Sequence, residues 1–286
     1  MRHFTHPAYF WARGDKMSAS IPLTDPLSVA WIQWCRNEHI PANTIARRIS
    51  TLRHMPNAGT ATREDVEAWW LTRAHLAPST RHNELANLRS FYKWCRRWEY
   101  RPPGDDPTLR LDSPRVDPGL PRPMTREDLH KVIDSITSAP DRRAVCLGAY
   151  AGLRISEAAA LRWSDVDLEN QELRVLNSKG NKSRRVPISP TLLDALLPNT
   201  GGNVVTGGEA HDTDWLARRI RKAFRRAGID ATFHQLRHRY ATIAYEATGD
   251  ILAVSRLLGH ANVKTTQIYV RTREDVARAI AMAVTA

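Results

Sequence analysis

The segment LLGHANVKTTQIYV (257–270) sets His260 nine positions before Tyr269. A phenol can act as a nucleophile, but a pKa near 10 leaves only about one in a thousand ionised at pH 7. A neighbouring base or a cationic field must therefore help it lose its proton. Groups of both kinds lie upstream. HQLRHRYAT (234–242) carries His234 and Arg237 at i and i+3, on one face of a helix. GLRISE (152–157) opens a helix with Arg154 and sets Glu157 one turn later, and Lys179 stands between these segments in SKGNKS. Guanidinium groups suit oxyanions, and an ammonium can protonate a departing oxygen. Taken singly, each residue also has an ordinary reading. Arg154 fits a surface charge, His234 a satisfied core histidine and Lys179 a solvated turn. His260 fits a helix C-terminal turn after its glycine, and Tyr269 an amphipathic residue with a wet hydroxyl.

In order along the chain, AGLRISEAAALRWSDVD, SKGNKSRRVPI, HQLRHRYAT and LLGHANVKTTQIY resemble the motifs of the tyrosine recombinase (phage integrase) family. The resemblance covers 120–270, and PSTRHNELANLRSFYKW upstream is similar to the family's DNA-clamping helix. It implies Arg154 and Arg237 as a phosphate clamp and Lys179 as general acid. His234 and His260 would be proton and hydrogen-bond partners, Tyr269 the nucleophile and Glu157 the acid that braces Arg154. The chemistry agrees with that assignment. Attack on a phosphodiester needs positive charge on its non-bridging oxygens as the transition state forms. The 3′-phosphotyrosine so made retains the energy of the broken bond, so a 5′-hydroxyl can reseal DNA without ATP. No Gly-rich nucleotide loop or metal-ligand spacing is present, and the expectation is a reaction without cofactor or metal. DVDLE (165–169) alternates its acids but reads as the turn leading into a hairpin rather than a metal site.

These residues need elements to position them. Seven of the 17 prolines fall between Pro102 and Pro123, which predicts an extended linker over 101–123. Upstream, apolar residues recur at helical spacing (Leu27, Trp31, Trp34, Cys35; Leu85, Leu88, Tyr92, Cys95). Four helices fit 24–100, broken at Pro41, near 57–59 and at Pro78. The tetrapeptide Thr-Arg-Glu-Asp at 62–65, 125–128 and 272–275 reads as a helix start, with Thr as N-cap and acids in the first turn. AVCLGAYAGL (144–153) is apolar enough for a buried helix, ELRVLN and RRVPIS predict a β-hairpin, and the pattern is helical from Trp215 onward. The expected fold is mainly α with a small β-hairpin or sheet. Its parts are an N-terminal extension (1–22), a helical core-type DNA-binding domain (23–100), the linker (101–123) and an α+β catalytic domain (124–286). The catalytic domain would end in a tail helix (271–286).

Forty-two Lys and Arg against 30 Asp and Glu give a net charge of +12, which points to a polyanionic partner, nucleic acid before membrane. Only seven of the cations are lysine; arginine suits bidentate phosphate recognition, although a GC-rich coding sequence gives the same skew. Arg47, Arg48, Thr80, Arg81 and Arg89 are the first residues to consider for DNA contact, with a solvated charged face as the ordinary reading. Three scattered cysteines, Cys35, Cys95 and Cys146, make no disulfide framework. With neither a signal-type segment nor a run long enough to cross a bilayer, the expectation is a cytoplasmic protein. Met17 is an alternative start, and about 20 residues precede the first helix, which favours a simple integrase working on core or attachment sites alone.

The resemblance further implies double-stranded DNA as substrate, a monomer in free solution and a homotetramer on paired sites. A directionality factor is the accessory partner of an integrase. The alternatives are a chromosome-dimer-resolving recombinase, a type IB topoisomerase and a DNA-binding regulator without catalysis. The helical N-terminal domain and the LLGH…Tyr spacing favour a recombinase over the topoisomerase, and a regulator would have no need of Tyr269.

Overall fold

The computed structural model describes residues 23–117, 122–176 and 183–260. Lys179, Tyr269, the N-terminal extension, the tail over 271–286 and its expected helix start at Thr272 lie outside the described residues. The chain divides into two units, one up to Pro118 and one from Gly119.

In the first unit, prolines and caps set the helix starts. Helix α1 (Pro26–Asn37) begins on a proline after Asp25, whose carboxylate accepts from the Ser28 amide at 2.8 Å. Helix α2 spans Ala42–Arg53 after Pro41. Helix α3 (Arg63–Thr72) opens on a capping box in which Thr62 and Asp65 exchange side-chain and backbone bonds. Helix α4 (Pro78–Arg97) again starts on proline. The apolar faces meet in a core that includes Trp31, Leu52, Val66, Leu85, Leu88 and Phe91, with Trp31 edge-on to Phe91 at 5.4 Å. A two-pronged pair, Arg73 to Glu84 at 3.0 and 2.7 Å, ties α3 to α4.

The proline-rich stretch departs from the linker expectation over its first part. Arg101 is buried and donates to the carbonyls of Gly59 and Ala61. Arg96 pairs with Asp106 at 2.7 Å, Leu111 enters the core, and Arg89 donates to the Leu111 carbonyl. Residues 101–111 therefore pack on the helical unit. Proline forbids helix here but not packing: buried Arg101 and Leu111 hold an irregular chain as well as a regular one.

The second unit is built around α6 (Ala139–Ala151), buried over nearly its whole length. Burying a residue such as Val145 or Leu147 contributes about 1.5–3 kcal/mol. Helix α5 (Arg126–Ser135) precedes it, capped by Thr125 on the Asp128 amide at 3.0 Å. After α6 come α7 (Ile155–Ala160) and a three-stranded antiparallel sheet, β1 (Val166–Asp167), β2 (Glu172–Leu176) and β3 (Ser183–Pro187), in the order β1-β2-β3. The hairpin strands pair Leu173 with Val186 and Val175 with Arg184. The start of DVDLE is thus a short strand rather than wholly a turn: Val166 and Asp167 pair with Leu173 and Glu172. Helices α8 (Pro190–Leu196), α9 (Thr213–Arg226), α10 (Phe233–Thr248) and α11 (Ile251–Leu258) complete a mainly helical unit with one small sheet. Among the described residues no helix is long and apolar enough to cross a membrane. Cys35, Cys95 and Cys146 are all free and buried.

Candidate active site

Two left-handed glycines shape the site. Gly152 (φ +62) ends α6 and turns the chain so that Arg154 becomes the N-cap of α7. Gly259 (φ +64) ends α11, and the next residue is His260, whose amide donates to the Ser255 carbonyl at 3.0 Å. Both ends expose carbonyls at the negative pole of a helix, and arginines from three other segments satisfy them. Arg237 donates to Gly152 O at 2.6 Å and to Leu258 O at 2.7 Å. Arg154 reaches Leu258 O at 3.4 Å and Gly259 O at 3.1 Å. Arg184, from β3, donates through Nε to Leu257 O at 2.7 Å.

The same three guanidiniums surround one buried carboxylate, Glu157. It accepts from the Arg154 amide and from Arg154 Nη1, both at 2.8 Å. Arg184 grips it with two prongs, Nη1 to Oε1 at 2.9 Å and Nη2 to Oε2 at 2.8 Å, and Arg237 Nη1 lies 3.7 Å from Oε2. Burial pushes the Glu157 carboxyl up, but the hydrogen bonds from Arg184 and Arg154 outweigh it and hold the pKa below the ordinary range. Three guanidinium charges against one carboxylate leave the cluster net cationic. Losing one partner of such a buried pair typically costs about 3–5 kcal/mol, because the other charge is stranded.

Two histidines lie beside the arginine cluster. His234 stands one turn before Arg237 on α10, and its ring meets that of His238 edge-on at 4.3 Å. Partial burial, then the charges of Arg237 and Arg154, lower the His234 pKa. Burial and the same two arginines bring His260 down to about 4. At neutral pH these imidazoles are therefore uncharged.

The structure thus brings together Arg154, Glu157, His234, Arg237 and His260, while Lys179 and Tyr269 fall outside the described residues. Sequence reasoning missed Arg184. The available signal was strand alternation: Arg184 and Val186 share the inward face of β3, while Arg185 points out. The helix over α9 was expected, but its basic face was not singled out: Arg218, Arg221, Lys222, Arg225 and Arg226 fall at i, i+3, i+4, i+7 and i+8 and are all exposed, opposite buried Leu216, Ile220 and Phe224.

The surface residues considered for DNA contact divide. Arg47 and Thr80 are exposed on α2 and α4. Arg81 lies over the Trp70 ring at 4.2 Å, and Arg89 is exposed but tethered to Leu111. Arg48 is half-buried in the helix seam, donating to Cys35 Sγ at 2.9 Å and Ser90 Oγ at 3.3 Å. Among the described residues no group of three or more His, Cys, Asp and Glu is placed to hold a metal ion.

A net-cationic arginine cluster with two imidazoles beside it, on a mainly helical domain with one small sheet, is suited to holding an oxyanion. The chain belongs to the phage integrase family, whose model matches residues 123–275. It is 37% identical over 180 residues to tyrosine recombinase XerA of Thermococcus kodakarensis, covering 58% of this chain and 64% of that one. To tyrosine recombinase XerC of Xanthomonas campestris it is 32% identical over 212 residues, covering 69% and 65%. The chain thus spans a little under two thirds of these relatives. In fold it matches lambda integrase (75–356), solved as a dimer bound to a COC′ core site, with a TM-score of 0.71 at 15% identity over 84% of this chain and 95% of that one. XerH site-specific recombinase bound to a palindromic difH substrate matches with a TM-score of 0.68 at 18% identity, covering 89% and 84%.

Proposed function

We propose that the chain is a tyrosine site-specific recombinase that cuts and rejoins duplex DNA. The carrying observation is that Arg154 and Arg237, from separate segments, meet at one buried carboxylate, with His234 and His260 near enough to feel both guanidinium charges. That cluster presents preorganised, partly buried positive charge, which stabilises a phosphorane-like transition state better than mobile water does. In this reading Arg154 and Arg237 hold the non-bridging oxygens of one phosphodiester. The Tyr269 oxygen attacks phosphorus, its proton passing to a neutral imidazole or solvent. The bond from phosphorus to the 5′ oxygen breaks, and Lys179 donates the proton that oxygen needs to leave. A 5′-hydroxyl from a second strand then attacks the phosphotyrosine, and Tyr269 departs with its proton restored.

DNA contact is assigned to exposed cations on both units, Arg47 on α2 and the basic stripe of α9, with Thr80, Arg81 and Arg89 on α4. A homotetramer on paired sites, formed from free monomers, draws support from the fold shared with a lambda integrase tetramer bound to a Holliday junction (TM-score 0.69, 15% identity). The role we favour is that of a simple mobile-element integrase, acting in the cytoplasm with a directionality factor as accessory partner. The alternative role is that of a chromosome-dimer-resolving recombinase, and the relatives' names, tyrosine recombinases, fit either one.

Tyr269→Phe tests the chemistry, because it removes only the hydroxyl. The variant should bind DNA like the parent yet form no covalent adduct on a nicked suicide duplex. Adduct persisting in Tyr269→Phe would refute the proposal, and sequencing the DNA trapped by the parent identifies its target.

A further inference from the structure

Arg184 is the least exposed guanidinium of the cluster after Arg237, with 8% of its side chain accessible, and one donor from each of its three nitrogens is committed. Both Glu157 oxygens and the Leu257 carbonyl hold it, so both prongs of its planar fork are already spent on Glu157. Its charge nonetheless matters to them. Glu157 also touches Arg154 at 2.8 Å and lies 3.7 Å from Arg237. A buried carboxylate without Arg184 would satisfy itself on those two cations, pulling them inward and cancelling much of the field that an incoming phosphate meets. Arg184 also links two elements in one side chain: it sits on β3, and its Nε fastens the end of α11, directly before His260.

We infer that Arg184 is a positioning residue which neutralises Glu157, leaving Arg154 and Arg237 available to a phosphate, and which fastens β3 to the turn bearing His260. The inference rests on the recombinase reading only in naming DNA phosphate as the anion; the electrostatic role follows from the geometry.

The test uses the full chain carrying Arg184→Gln, Glu157→Gln and the two together, with Arg184→Lys as a milder variant, each first shown to melt cooperatively. Arg184→Gln should slow covalent adduct formation on a nicked duplex by about 100-fold, the size of effect seen when one preorganised charge donor is lost, with DNA binding nearly unchanged. Adding Glu157→Gln removes the stranded carboxylate and should recover about tenfold of that loss, a coupling of the kind that double-mutant cycles isolate. Arg184→Lys, which keeps the charge and loses the fork, should fall between the parent and Arg184→Gln. A double variant no faster than Arg184→Gln, or an Arg184→Lys variant as slow as Arg184→Gln, overturns the inference.

A second measurement does not depend on the reaction. Inorganic phosphate at matched ionic strength should raise the melting temperature of the parent by binding the folded pocket. This rise should be lost in Arg184→Gln and in Arg154→Gln and return in the double variant. If the parent forms no adduct, the recombinase reading fails, whereas a full phosphate response in Arg184→Gln sinks the positioning role by itself.

Discussion

The imidazoles of the site are held neutral by their surroundings, and this sets a pH dependence of stability. Burial first, and then neighbouring charges, bring His260 and His238 down to about 4, against an unfolded histidine value of about 6.5. Between those values the unfolded chain takes up protons that the folded chain refuses. Stability from these groups is therefore complete above about pH 7, falls as pH drops from about 6.5, and stops falling near 4. Glu157 acts in the next window: its lowered pKa means that its ion pairs stabilise above the unfolded carboxyl value of about 4.3 and are lost as pH falls below it. Urea midpoints measured from pH 8 to 4 should decline, and His260→Asn should flatten the slope between about 6.5 and 4. An unchanged slope in that variant would mean that His260 is not held neutral.

Among the elements, the C-terminus of α11 carries a demand that reaches Arg184 directly. A Cβ on Gly259 would lie 2.8 Å from Arg184 Nη1 and 3.1 Å from its Cδ, in a backbone conformation that side chains disfavour. Gly249 ends α10 in a similar conformation (φ +67), but a Cβ there would meet nothing within 4 Å. Alanine at either glycine should therefore cost about 1 kcal/mol from the backbone. Only Gly259→Ala should also displace Arg184, so it should slow adduct formation by about tenfold or more at matched folded fraction, a shift of at least about 1.4 kcal/mol in the barrier. Equal activity of Gly259→Ala and Gly249→Ala would show that the Arg184 contact at this turn is dispensable.

For the whole molecule, binding to DNA should be read through its salt dependence. Each phosphate contact contributes about 0.9 to the slope of log affinity against log salt. Arg47→Ala on the helical unit and Arg221→Ala on α9 should each lower that slope by about one contact, since both side chains are exposed. Arg48→Ala should leave the slope intact and lower the melting temperature instead, because its guanidinium is engaged with Cys35, Ser90 and the Trp31 ring. A slope loss in Arg48→Ala equal to that of Arg47→Ala would place both arginines on DNA.

Much of the fold was legible in the chain because its causes are local. Apolar spacing, Pro41 and Pro78 mark the first four helices, and Thr62 and Thr125 cap their helices within three residues. A glycine ahead of His260 announces a helix end in the same way. The motif order singles out Arg154, Glu157, His234, Arg237 and His260, residues that the fold brings near one another. Contacts across long stretches of chain were decided by the tertiary structure. Arg184 meets Glu157 across 27 positions and Leu257 across 73, and no window of sequence spans both. Arg101 is buried on carbonyls some 40 positions upstream, which is why the proline-rich segment read as a linker through its first part. Arg47 and Arg48 are neighbours on one helix turn, yet one is exposed and the other sits in a seam. Composition and periodicity count charges and faces, but which guanidinium a carboxylate or a ring will hold depends on the partner that another segment brings to it.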